Sequence, residues 1–231
     1  MTVSVCMATY NGQNYILQQL VSILNQLGPS DELIISDDGS TDETLSIVES
    51  LDDKRIKIYH NQSNHGVVGN FNNALVHASG DIIFLADQDD IWADNKVEIM
   101  MDKLKDYDAV VHNFLFMNGE GVVSDNDFFS IHPSRSGFWN NLYRNGFMGS
   151  CMAFRKKVLD DALPLPKHIL WHDMWIGLMA EKKGRTCFIP DTLLYYRRHG
   201  DNVSATGEKS TFSRWFQLKY RLQMLWYFLF R

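Results

Sequence analysis

The sequence predicts an α/β protein with a mostly parallel central sheet and helices on both of its faces. Three observations carry that expectation. Short apolar runs alternate with stretches of helical periodicity through residues 1–105. Strand–helix units repeated in this way form a parallel sheet with right-handed crossovers. Three of the four apolar runs in this half stop abruptly in polar clusters, and ligands of such sheets bind beyond the carboxyl ends of the strands.

Val3-Ser4-Val5-Cys6-Met7 reads as the first strand and stops at the turn signal Thr9-Tyr10-Asn11-Gly12. Leu17, Leu20, Val21, Leu24 and Leu27 then recur at helical spacing, and Gly28-Pro29 ends that helix. Glu32-Leu33-Ile34-Ile35-Ser36 is the second strand and runs into Asp37-Asp38-Gly39. Ser40 and Glu43 are spaced as a capping box for a helix continued by Leu45 and Val48. Arg55-Ile56-Lys57-Ile58-Tyr59 alternates as the third strand, and a loop with Asn64-His65-Gly66 follows. Phe71, Ala74, Leu75 and Ala78 mark the third helix, closed by Gly80, and Asp81 to Ala86 is the fourth strand.

That fourth strand delivers the most informative stretch, Phe84-Leu85-Ala86-Asp87-Gln88-Asp89-Asp90-Ile91-Trp92. An apolar run ending in three carboxylates concentrates negative charge at one point. Crowded acids are costly unless a cation sits among them or one stays protonated. Hard divalent cations favour such oxygens and bridge a few carboxylates to substrate phosphates. Capping of the helix expected from Asp94 would explain one acid at most. Asp37 and Asp38 also suit turn or cap duty, Asp37 more so.

The second half is less regular. Ala109 to Phe116 reads as a strand and 118–137 as loop. Gly146-Phe147-Met148-Gly149-Ser150 is a turn or a close approach to a ligand, before the strand Cys151-Met152-Ala153-Phe154. Helices are expected near 155–162 and 171–183, and two strands at Thr186-Cys187-Phe188-Ile189 and Leu193-Leu194-Tyr195-Tyr196-Arg197. The tail from Thr211 is dense in aromatics with interspersed Arg and Lys, and Trp215, Leu218, Leu222 and Leu225 share helical spacing. Such a helix either lies at a membrane surface or packs on the body or a subunit partner.

Composition narrows the function classes. The chain has 231 residues, 45% of them apolar, which suits one domain, or one domain with a small appendage. A net charge of −6 and no basic block before the tail argue against nucleic acid as a partner. Cys6, Cys151 and Cys187 are scattered and odd in number, which argues against a disulfide framework or zinc site and fits a reducing compartment. Thr2 to Ala8 has no basic flank, so no signal peptide is expected, and no apolar run is long enough to span a bilayer.

Taken together, Ala8-Thr9-Tyr10-Asn11-Gly12, Ser36-Asp37-Asp38-Gly39-Ser40-Thr41-Asp42 and Asp87-Gln88-Asp89-Asp90 resemble the family 2 glycosyltransferases in order and spacing. The Asp-Gln-Asp-Asp-Ile-Trp variant looks most like bacterial rhamnosyl- and galactosyltransferases of surface polysaccharide synthesis. The resemblance implies a GT-A fold, a Rossmann-like three-layer α/β/α sandwich. It implies a domain over 1–210, with a nucleotide-binding half at 1–105 and an acceptor half at 106–210, followed by the helix of 211–231. Ala8, Thr9, Tyr10, Asn11, Asp38 and Asp87 would contact the nucleotide. Asp89, with Asp87 and His199, would hold Mn²⁺ or Mg²⁺. Gly149, Ser150, Asp90 and Trp92 would lie near donor or acceptor sugar, with Trp92 better suited to the core. Asp173 in Trp171-His172-Asp173-Met174-Trp175 matches the catalytic base, His172 being the weaker candidate; an acid here also serves a helix N-terminus. His199 could equally be part of a solvated turn with Arg197 and Arg198.

The implied reaction is inverting transfer of a sugar from a UDP- or dTDP-linked donor to a hydroxyl of a glycan or lipid-linked acceptor, in O-antigen or capsule synthesis. The expected location is cytoplasmic or peripheral at the inner face of the membrane, with an oligomer open. The alternatives are a catalytically silent sugar-nucleotide-binding subunit and a nucleotidyltransferase. Asp173 weighs against the first, and the absence of a Gly-rich basic loop after the first strand against the second.

Overall fold

The computed structural model describes residues 1–200 and 212–231. The expected boundary at 210/211, with Asp201, Asn202 and Thr211, lies outside the described residues. The first half follows the expected alternation: β1 (Val3–Thr9), α1 (Ile16–Leu24), β2 (Glu32–Asp37), α2 (Thr44–Ser50), β3 (Ile56–His60), α3 (Val67–Val76) and β4 (Ile82–Asp87). Strands β3, β2, β1 and β4 lie side by side and parallel. The central residues of β1, β2 and β4, among them Val5, Cys6, Met7, Ile34, Ile35, Phe84 and Leu85, are wholly buried. Burial on both faces is why these strands read as continuous apolar runs.

The chain continues through β5 (Ile91–Trp92), α4 (Lys96–Lys103), β6 (Ala109–Asn118), β7 (Val123–Asp127), α5 (Phe128–Ile131) and α6 (Phe138–Tyr143). A 3₁₀ turn, Gly149–Cys151, precedes β8 (Met152–Arg155), α7 (Lys157–Ala162), α8 (His172–Lys183), β9 (Thr186–Arg198) and α9 (Arg214–Leu229). The sheet runs on from β4 through β8, β6 and β9 to β5, with β8 antiparallel to both neighbours and β9 parallel to β6.

Four expectations are corrected. The Ser40–Glu43 capping box does not form: α2 starts at Thr44 without a side-chain cap, and the Ser40 hydroxyl donates to Asp37 instead. The stretch 118–137 is not all loop. It holds β7, a polar strand with no alternating pattern that exists through its ladder with β6, and α5, capped by Asp127 accepting from the Ser130 amide. The two late strands are one, β9: His112 pairs Ile189 and Asn113 pairs Thr192, so Pro190 and Asp191 bulge out of the ladder. Proline lacks the amide a ladder needs, which explains both the bulge and the misreading. The tail helix α9 does dock on the body, burying Tyr220 and Met224, while Trp215, Leu218 and Leu222 of the expected apolar stripe face outward.

Candidate active site

Parallel register brings the polar strand ends to one edge. Thr9 pairs with Asp37 across β1 and β2, and Ala8 pairs with Asp87 across β1 and β4. Asp37 is fully buried and accepts from Gly39 N, Ser40 N, Ser40 Oγ and Thr9 Oγ1. Asp37 therefore holds the turn, and the Thr9 hydroxyl is spent inside it. The side-chain oxygen of Asn11 accepts from the Thr41 amide at 2.8 Å, tying the first strand-end loop to the second. Tyr10 is exposed at this edge. Asp38 accepts from Asn61 Nδ2 and Gly66 N and lies 2.8 Å from His65 Nδ1, so its carboxylate faces the loop before α3.

Gln88 clamps the Tyr10 backbone, accepting its amide and donating to its carbonyl, both at 2.9 Å. Gly12 sits where a Cβ would lie 2.4 Å from Gln88 Oε1, so this approach requires the bare backbone. Gln19 anchors the other side by donating to the Asp87 carbonyl at 2.8 Å.

Strand β9 completes the acid loop, because β5 pairs antiparallel with it at Tyr195 and Leu194. Arg197 is buried and donates from Nε to the Asp89 carbonyl, from Nη1 to Gly119 and from Nη2 to Gln18, while its amide bonds Asp90. Two residues on, His199 Nε2 lies 2.8 Å from Asp89 Oδ2, with side chains 11% and 16% exposed. The imidazole also lies against Tyr15, ring centroids 4.7 Å apart. Replacing Arg197 with methionine keeps the bulk and strands those carbonyls. The expected result is a loss of about 3 kcal/mol of stability in urea titration; a loss well under about 1 kcal/mol would contradict the stapling role.

Asp90, expected near the sugars, is wholly buried instead, and Trp92 takes the core position favoured for it over a sugar contact. The reason is the β5–β9 pairing, which draws both inward. Asp90 keeps one oxygen, Oδ2, without a partner. Behind them lies Lys96, also fully buried, its ammonium 4.1 Å from the Trp92 ring centroid and 2.6 Å from the Ser150 carbonyl. Burial pulls this lysine down to about 8. Burial, then the charges of Asp89 and Asp173, pushes Asp87 up to about 7. Burial, then the charges of Asp89 and Asp87, holds Asp90 well above the carboxylate range.

Asp173 stands in the first turn of α8, half-buried, with Oδ2 accepting from the Gly149 amide at 3.2 Å and Oδ1 from the Met174 amide at 2.6 Å. Burial raises it to about 6 despite those amides. Its neighbour His172 stacks on Phe71, ring centroids 3.9 Å apart, and its buried Nε2 has no hydrogen-bond partner. Burial lowers His172 to about 3, so it is neutral. A Cβ on Gly149 would stand 3.0 Å from that nitrogen. Ser150 is buried beside this turn.

A charge-dense edge thus carries Asp87, Asp89 and His199, and Asp173 is near enough for its charge to act on Asp87. Among the described residues no three His, Cys, Asp or Glu side chains form a preassembled metal cage. Asp89 and His199 nonetheless offer a carboxylate, which suits Mn²⁺ or Mg²⁺, and an imidazole, a softer ligand that Mn²⁺ accepts more readily than Mg²⁺. The raised acids fit a cation by the same argument. Sequence reasoning missed Arg197, Lys96, His65 and Gln88. Gln88 stood inside the acidic motif and Arg197 beside His199, so position offered a signal; Lys96 read as an ordinary helix lysine.

The family model for glycosyl transferase family 2 matches residues 4–163. The Escherichia coli UDP-Glc:α-D-GlcNAc-diphosphoundecaprenol β-1,3-glucosyltransferase WfgD is 27% identical over 92% of this chain and 83% of its own. The Bacillus subtilis putative teichuronic acid biosynthesis glycosyltransferase TuaG is 28% identical over 93% and 86%. Among solved structures, S. aureus TarS 1–349 in complex with UDP-GlcNAc superposes with a TM-score of 0.75 at 22% identity, covering 99% of this chain and 67% of that one.

Proposed function

The chain belongs to glycosyltransferase family 2, and we propose that it moves a sugar from a UDP- or dTDP-linked donor, with inversion, onto a hydroxyl of a lipid-linked glycan in bacterial surface polysaccharide synthesis. It is a glycosyltransferase with the GT-A fold. One observation carries the finer reading most: Asp173 is raised to about 6 within electrostatic reach of Asp87, at the same edge as the Asp89–His199 pair. A base and a cation-seeking cluster facing one space suit a hydroxyl attacking on one side and a diphosphate leaving on the other. The names of WfgD and TuaG support the acceptor class and the pathway.

Asp38, with His65 beside it, frames the base, and Tyr10, Asn11 and the backbone of Ala8 and Thr9 line the nucleotide. Asp89 and His199, with Asp87 adjacent, would hold a divalent ion, which would supply positive charge to offset the departing diphosphate. Asp173 takes the proton of the acceptor hydroxyl, whose oxygen attacks the anomeric carbon opposite the diphosphate. One displacement inverts that carbon, and no protein nucleophile is needed. Burial raises the thiols of Cys6 and Cys151, which leaves them inert. Gly149, with its amide on Asp173, fixes the direction of the base.

The test is calorimetric titration of UDP, dTDP and GDP, with and without Mn²⁺. Metal-dependent binding of one uridine or thymidine diphosphate is expected; binding of none would withdraw the reading.

No helix among the described residues is long and apolar enough to cross a membrane. Helix α9 instead presents Trp215, 81% exposed, with Leu218, Leu222 and Trp226. This supports peripheral docking on a bilayer, where the alternating Arg and Lys would meet anionic headgroups. Converting Trp215 and Leu222 to Asp is expected to release the protein from anionic vesicles in a flotation assay. Equal flotation of that variant would leave α9 as a packing element only.

A further inference from the structure

A cleft of about 270 Å³ opens between the end of α6, the start of α8 and the outer half of α9. Aromatic rings of Trp171, Phe216 and Tyr220 form its wall, and Arg144 and Arg221 stand at its lip. None of its lining residues is acidic. Arg221 reaches from α9 to the Tyr143 carbonyl, with Nε at 3.0 Å and Nη2 at 2.6 Å, which brings it beside Arg144. Neither guanidinium is paired with a carboxylate among the described residues, and the only hydrogen bond Arg144 donates there to another residue's side chain is from Nε to His132. The Tyr220 hydroxyl accepts from the amides of Leu170 and Trp171, two residues before Asp173. The cleft therefore adjoins the proposed base and continues onto the exposed apolar face of α9.

We propose that this cleft holds the diphosphate of a lipid-linked acceptor, gripped by Arg144 and Arg221, with the isoprenoid leaving along α9 and the acceptor sugar reaching Asp173. The inference rests on the transfer reading above and extends it. In that reading the donor's diphosphate goes to the acid edge through a cation. A second diphosphate, on the acceptor, needs a separate site with positive charge of its own. Guanidinium forks match phosphate oxygens in geometry as well as charge. The aromatic wall supplies apolar contact for the first isoprene units, and the stripe of Trp215, Leu218 and Leu222 carries the rest towards a bilayer.

The experiment titrates the full chain, saturated with UDP and Mn²⁺, with farnesyl diphosphate, farnesol and inorganic pyrophosphate. Farnesyl diphosphate is expected to bind without displacing UDP, and more tightly than either other probe. Arg144→Glu combined with Arg221→Gln should weaken it by about tenfold or more, and UDP binding should not change. Arg144→Gln alone keeps the Arg221 contact with Tyr143 and should give an intermediate loss. Equal binding by the double variant, displacement by UDP, or pyrophosphate binding as tightly as farnesyl diphosphate would each overturn the site. Absence of UDP binding in the wild type would instead sink the transfer reading, which separates the two failures.

Discussion

Asp89→Ala is expected to abolish transfer and to leave the protein folded. The carboxylate and His199 are set against each other as a potential ligand pair, with Oδ2 2.8 Å from His199 Nε2. Removing it takes away the anchor of the proposed cation and with it the charge that offsets the leaving diphosphate. Losing one such stabiliser costs about 10²–10³-fold in turnover, and losing the cation as well takes the rate to background. The fold survives because Arg197 holds this loop through the Asp89 backbone carbonyl, which alanine keeps. The charge of Asp89 also pushes Asp87 and Asp90 upward, so its loss relieves repulsion. Melting temperature should hold or rise while product formation disappears. Normal turnover with unchanged metal dependence would refute the assignment.

The second large effect is at Asp173. Asparagine there keeps one oxygen, which can accept from the Gly149 amide or the Met174 amide but not both, so the start of α8 retains one of these two contacts. It cannot take a proton at neutral pH. The expected loss in kcat is about 10²–10⁴-fold, with nucleotide affinity unchanged. The wild-type pH profile should show the same group. With the carboxyl raised to about 6, the acid form prevails below that pH and cannot act as a base, so the rate climbs as pH rises through about 6. The stability linkage has the opposite sense to an ordinary paired aspartate. Between its unfolded value of 3.8 and about 6, the folded protein holds the proton more tightly, so this group's contribution declines as pH rises. The asparagine variant should therefore gain in melting temperature relative to wild type across that window. A variant turning over within about tenfold of wild type would return Asp173 to a helix-terminus role and move attention to His172.

Much of the site was legible because it hangs on local pattern. Apolar runs ending in Thr9-Tyr10-Asn11, Asp37-Asp38 and Asp87-Gln88-Asp89-Asp90 named the strands and the edge at once, since parallel strands in register deliver their ends together. Where local pattern was silent, expectation failed. The polar β7 had no alternation to read, and Pro190 split β9 in the sequence but only bulged it in the sheet. Ser40 looked like a cap by spacing, yet the buried Asp37 took its hydroxyl.

The sequence by itself determined the αβ order, the end of the sheet that carries the chemistry, and the acids that crowd there. Those follow from periodicity and from the cost of gathering like charges, both visible in one dimension. Only the tertiary structure decided that Asp90 and Trp92 turn inward and that Asp89 meets a histidine from β9, 110 residues away. It also decided that Lys96 lies buried behind them, and that α9 spends Tyr220 and Met224 on the body while turning Trp215 outward. Each of these depends on which strand pairs with which. Long-range pairing is settled by the packing of the whole core, and no spacing along the chain encodes it.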